Sequence, residues 1–232
     1  MRRLSSGKGW RKICVPIAER TLEKASRTID EANSLADLIE LRMDYLRNGG
    51  LGELIHRVEK PLIVTNRRKE EGGRHRGDEH GRLEVLKHAV DLGAEFIDIE
   101  SGTERPLLTA LIAKKKGTRV ILSFHDFRGT PSQEELRRLC CRMAGVGADV
   151  LKIVTFARSR EDNLLVLSLI PFARKRGQKI VAFCMGEKGR MSRVFAPWLG
   201  AAWTYAPLRR DRSSAPGQMA AGELREIWER LG

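Results

Sequence analysis

Residues 119–154 read RVILSFHDFRGTPSQEELRRLCCRMAGVGADVLKIV. Two apolar runs, RVILSF (119–124) and DVLKIV (149–154), bracket a polar loop and a stretch in which Leu136, Leu139 and Met143 share one helical face. Runs this short and this rich in Ile and Val predict strands buried on both sides, and the amphipathic stretch predicts a helical crossover between parallel strands. The same unit repeats in both directions. Upstream lie KICVPI (12–17), DLIELRM (37–43), PLIVT (61–65) and EFIDIE (95–100); downstream lie KIVAFC (179–184) and a weaker AAWTYA (201–206). Between them, Leu22, Ala25, Ile29 and Ala32 mark one helix face, Leu83, Leu86 and Val90 another, and Leu224, Ile227, Trp228 and Leu231 a third. Thr130-Pro131-Ser132-Gln133 predicts a helix start with Thr130 as the N-cap. Eight strands in strict alternation with eight helices predict an α/β chain folded as a single-domain (β/α)8 TIM barrel over residues 12–232. A doubly wound open sheet is the competing architecture. It uses fewer strands and a glycine-rich turn after the first, whereas IAERT follows here. The basic residues 1–11 are expected to form a flexible N-terminal arm.

Composition narrows the functional classes. No run of about 18 apolar residues is present, so no membrane span is expected. The opening MRRLSSGKGWRK is basic but leads into no apolar stretch, which argues against a secretory signal and for a cytoplasmic protein. The four cysteines lack metal-site spacing and are expected to be reduced thiols, with no metal and no cofactor. The net charge is +13, but most charges alternate in sign along helical stretches such as EELRRL and ELREIWERL. That pattern describes solvated faces. A small anionic substrate is therefore expected rather than nucleic acid.

The polar residues are placed as a barrel enzyme places them, at the C-terminal ends of strands. Glu40, Arg42 and Asp44 end strand 2, Arg67 follows strand 3, and Asp98 and Glu100 end strand 4. His125 ends strand 5 and Lys152 lies within strand 6; Arg193 follows strand 7, and Ser214 and Gln218 follow strand 8. A lysine inside VLKIV is costly to bury charged. Guanidinium neighbours from Arg42, Arg67 or Arg193 would favour the neutral amine, which is the nucleophilic form. The plainer reading is an ion pair with Asp98 or Glu100. His125 on the adjacent strand suits general acid–base work near neutral pH. Asp126 is expected on the opposite face, which leaves Glu71 as the better residue to orient the imidazole. Gly72 and Gly73 permit close backbone approach in the loop TNRRKEEGGRHRG. The loop MGEKGRMSR resembles an anion site, and an arginine there suits a carboxylate.

The segments IELRMDYL, T-x-R-x-x-x-EGG, DIE, SFHDF-x-x-TP, GADVLKIV, MG-x-x-G-x-x-SR and SAPGQ occur here in this order. In that order they resemble the type I 3-dehydroquinate dehydratases, from about residue 12 to the C-terminus. The resemblance implies dehydration of 3-dehydroquinate to 3-dehydroshikimate in the shikimate pathway of aromatic amino acid biosynthesis. By the same resemblance Lys152 forms a Schiff base with the ketone, His125 moves the protons and Glu71 pairs with His125. Arg193 corresponds to the residue that holds the substrate carboxylate. Glu40, Arg42 and Arg67 correspond to groups that contact substrate hydroxyls or shape the charge of the site. Ser214 and Gln218 correspond to the loop that closes over the substrate. A homodimer is the expected assembly. Pro16 stands where some members carry a serine facing the substrate. The competing functions are a sugar-phosphate aldolase using the same lysine, a basic protein binding nucleic acid, and a barrel that only senses quinate-like ligands.

Overall fold

The computed structural model describes residues 11–47, 49–209, 211 and 217–232. Its strands are β1 (Ile13–Ile17), β2 (Leu38–Arg42), β3 (Leu62–Thr65), β4 (Phe96–Glu100), β5 (Arg119–Asp126), β6 (Val150–Phe156), β7 (Lys179–Met185) and β8 (Thr204–Tyr205). They form one parallel sheet in the order β7-β6-β5-β4-β3-β2-β1-β8. The two ends of that order meet where the Ala202 N–H donates to the Ile180 carbonyl at 2.8 Å, so the sheet closes into the expected barrel. β8 is the short strand that the weak AAWTYA run announced.

The helices are α1 (Leu22–Leu35), α2 (Leu51–Ile55), α3 (Glu79–Asp91), α4 (Arg105–Ala113), α5 (Gln133–Gly145), α6 (Asp162–Leu167), α7 (Leu169–Arg174), α8 (Arg190–Phe195) and α9 (Ala221–Leu231). One more segment appears than the alternation predicts, because the sixth crossover is split into α6 and α7. Pro171 explains the break: it has no N–H to offer the carbonyl of Leu167.

Strand alternation separates two apolar layers. Cys14, Ile63, Ile121, Val150, Val154 and Val181 fill the barrel interior, closed at the base by Phe96 and Trp203 with ring centroids 5.4 Å apart. Val15, Ile39, Val64, Ile97, Leu151 and Ile153 face outward and pack under the helices. Lys152 therefore shares the inner face with Val150 and Val154. The helix faces are as read for Ala25, Ile29, Ala32, Leu83, Leu86, Val90, Leu224 and Trp228, all buried, but Leu231 is 49% exposed at the end of α9.

The start of α5 differs from the sequence reading. Ser132 is the N-cap, in a reciprocal capping box with Glu135. Thr130 instead ties the loop after β5 to β6, through the Thr155 hydroxyl at 2.8 Å and the Phe156 carbonyl at 3.1 Å. Its hydroxyl is therefore not free to cap. Of the predicted arm, residues 1–10 lie outside the described residues. Arg11 donates to the Trp228 carbonyl at 2.7 Å and stands 5.4 Å from the Trp198 ring centroid. Among the described residues no helix is long and apolar enough to cross a membrane, and no three His, Cys, Asp or Glu side chains gather as a metal site.

Candidate active site

One cavity at the C-terminal end of the barrel is lined by Glu40, Arg42, Arg67, Glu71, His125, Lys152, Arg193 and Gln218. Eight of the nine residues singled out for the site thus open onto one space. Ser214 lies outside the described residues.

Lys152 is 5% exposed. Its Nζ lies 2.8 Å from Asp98 Oδ2 and 3.5 Å from Glu40 Oε1, and 4.3 Å above the Tyr205 ring. Of the two readings of the lysine, the ion pair with Asp98 is the one the structure shows, and the arginine neighbours are corrected. The groups that touch the amine are carboxylates, because β2 and β4 send Glu40 and Asp98 to the barrel axis. The arginines stand one shell out. Arg67 Nη2 meets Asp98 Oδ1 at 2.6 Å and its Nη1 meets Glu100 Oε1 at 3.1 Å. Arg82 closes the chain on the other oxygen of Glu100. Ser123 stands level with Lys152 in the β5–β6 register, accepts from Arg67 at 2.6 Å and donates to Asp98 at 2.6 Å. Burial alone would raise the Asp98 carboxyl, but the charges of Arg67 and Lys152 outweigh it and hold the group far below the usual carboxylate range. The base of the site is therefore a connected network of ion pairs and hydrogen bonds.

His125 stands level with Val154, two positions beyond the lysine's partner Ser123. That places its Cα one layer of inward residues, about 7 Å, closer to the mouth. The imidazole Nδ1 lies 2.9 Å from Glu71 Oε2, and the His125 backbone N–H donates to the same oxygen at 3.2 Å. Burial, then the charges of Arg67 and Lys152, push the imidazole well below 6.5. Burial likewise raises Glu71 to about 7, helped by Glu100 and Asp98 and opposed by Arg67. At neutral pH the ring is uncharged. With Glu71 ionised, Nδ1–H donates to it and Nε2 is left as a base. The loop that delivers Glu71 depends on two glycines. Gly72 ends the short turn Lys69–Glu71 at φ 77°, and a Cβ there would stand 2.5 Å from the Phe127 ring. A Cβ on Gly73 would stand 2.0 Å from the Arg67 carbonyl oxygen.

Arg193, on α8, is 1% exposed. None of its three nitrogens has a hydrogen-bond partner among the described residues, and its guanidinium lies 4.3 Å over the Phe183 ring. Burial lowers it to about 10. A desolvated cation facing a cavity with its donors free is a site built for an anion. Arg42 is held differently: it grips Asp44 with two bonds of 2.9 and 2.8 Å. The sequence reading missed Ser123 as the bridge under the site, and Phe183 and Tyr205 as the flat surfaces beneath the two cations. Each occupies an inward strand position, so alternation alone would have placed them facing the cavity.

A (β/α)8 barrel with a buried lysine, a histidine–carboxylate pair and a free guanidinium in one C-terminal mouth is arranged as an enzyme. Residues 13–232 match the family model described as type I 3-dehydroquinase, and the chain belongs to that family. It is 41% identical over 211 residues to a 3-dehydroquinate dehydratase of Thermococcus gammatolerans, covering 91% of this chain and 94% of that one. It is 35% identical over 218 residues to that of Methanocaldococcus jannaschii, covering 93% and 97%. A crystal structure of the type I 3-dehydroquinate dehydratase of Clostridium difficile with covalently modified comenic acid superposes with a TM-score of 0.88. It is 29% identical and covers 97% of this chain and 93% of that chain.

Proposed function

We propose that this chain dehydrates 3-dehydroquinate to 3-dehydroshikimate, a step of the shikimate pathway, through an imine on Lys152. The observation that carries the reading is the coexistence of Lys152, the His125–Glu71 pair and the unpartnered Arg193 around one cavity. As an ammonium, Lys152 is held by Asp98 and Glu40, so a proton must leave before its lone pair can attack. The neutral imidazole, in the lining of the same cavity, is the base to take it. The amine then adds to the ketone carbon, and the carbinolamine hydroxyl takes the proton back from the imidazolium and leaves as water, giving a protonated imine and a neutral ring. That cation draws electrons from the neighbouring carbon, which His125 Nε2 deprotonates. The resulting enamine pushes out the β-hydroxyl, which takes a proton from the imidazolium and leaves as water. Water adds back to the conjugated imine and releases the enone and the amine. The iminium serves as the electron sink, so the scheme draws on no cofactor.

In this reading Arg193 holds the substrate carboxylate. Arg42 and Arg67 set the charge of the wall, Glu40 meets substrate polar groups, and Gln218 with Ser214 covers the bound ligand. The product is a conjugated enone, so ultraviolet absorbance follows turnover directly. Lys152→Ala should abolish the signal, and His125→Ala should lower kcat by about 10²–10⁴-fold. Turnover of sugar phosphates with none of dehydroquinate would replace this reading with the aldolase one.

A further inference from the structure

A second basic concavity of about 410 Å³ lies beside the active-site mouth, on the loops after β1, β2 and β3. Arg20, Arg47, Arg74 and Arg76 line it. All four are exposed, and none makes an ion pair with a described residue. The acid in the lining is Asp44, whose oxygens are taken by the two Arg42 N–H groups and the Arg74 backbone N–H at 3.0 Å. The floor is prepared as well. The Tyr45 ring carries the guanidinium carbons of Arg42 and Arg74 at 4.9 and 4.5 Å from its centroid, which fixes the direction of Arg74. Four unneutralised guanidinia around one small hollow repel one another, and the cost is relieved by an anion that brings several charges in little volume.

We infer that this hollow is a binding site, separate from the reaction cavity, for a small phosphate-bearing polyanion of the diphosphate or triphosphate class. Guanidinium forks match phosphate oxygens two at a time. A phosphoanhydride packs three or four charges into a hollow of this size, and a polycarboxylate of equal charge is bulkier. Because the site is open, its affinity is electrostatic and falls with salt.

The test is calorimetric titration of the full chain with inorganic pyrophosphate at low ionic strength. The wild type is compared with Arg47→Ser/Arg76→Ser, with Arg20→Ser/Arg47→Ser as a second pair, and with Arg193→Met. Saturable binding to the wild type, weakened at least tenfold in both rim pairs and unchanged in Arg193→Met, is the expected result. Both rim pairs should keep kcat for dehydroquinate within twofold. Absence of binding to the wild type, equal binding by the rim pairs, or loss of binding in Arg193→Met would overturn the assignment. The last outcome would place the anion in the reaction cavity.

Discussion

Replacing Arg193 with methionine should make the free protein more stable while disabling it. The guanidinium is buried, bonds to nothing among the described residues, and falls from its usual value to about 10. At about 1.4 kcal/mol per tenfold change, that fall corresponds to about 3 kcal/mol against the charged form in the folded chain. A cation whose folded value lies below its unfolded one bears this penalty at every pH below the folded value, and so across the working range. The Phe183 face at 4.3 Å returns about 1–2 kcal/mol. The net gain on going to methionine is about 1–2 kcal/mol, which for a chain of 232 residues is a rise in Tm of about 2–8 °C. Substrate binding should move the other way. Two charge-assisted bonds to a carboxylate, at about 1.5–3 kcal/mol each, translate to a loss of about 10²-fold or more in kcat/KM, mostly through KM. Thermal melts without substrate and steady-state kinetics measure the two effects. A melting point lowered by the substitution, or a kcat/KM within a few-fold of wild type, would refute the assignment of Arg193 as an unpartnered anion receptor.

The remaining predictions concern the other parts of the site. The ionised form of Glu71 is the working one and its carboxyl sits at about 7, so kcat/KM should fall as pH drops through about 7. Glu71→Gln should abolish that acid limb and lower kcat roughly tenfold or more; an unchanged pH profile would count against the pairing. Ser123→Ala removes the hydroxyl between Arg67 and Asp98 and should cost about 1–3 kcal/mol in denaturant unfolding. Gly72→Ala is strained at φ 77° and drives a methyl onto Phe127, so it should displace Glu71 and lower kcat more than it lowers Tm. A variant with wild-type kcat would show that the loop does not position Glu71.

The barrel was legible because eight apolar runs and their helical spacers each follow a simple period. The site was legible because a buried lysine and a histidine stand on adjacent strands at the same end. The ion pair of Lys152 with Asp98 was one of two readings the residues allowed, and the choice between it and arginine neighbours was not legible. Which inward side chain lands beside Nζ depends on the stagger of β2, β4 and β6 around a closed sheet, and no local pattern encodes that stagger. Arginines that read as neighbours of the amine are held off by Asp98, Ser123 and Glu100, and Asp98 takes the amine instead. The capping of α5 was misread for a related reason. Thr130 and Ser132 are equally good caps by residue type, and the choice was made by a tertiary partner, Thr155, 25 residues away. The split of the sixth crossover was visible in principle at Pro171, a residue that breaks the helical hydrogen-bond ladder wherever it stands.

The most direct measurement is borohydride reduction of the enzyme during turnover of dehydroquinate, followed by peptide mass spectrometry. The account predicts one stable secondary amine, on the peptide carrying Lys152, absent without substrate and absent in Lys152→Arg. A reduced adduct on a different lysine, or full turnover with no adduct trapped, would contradict it.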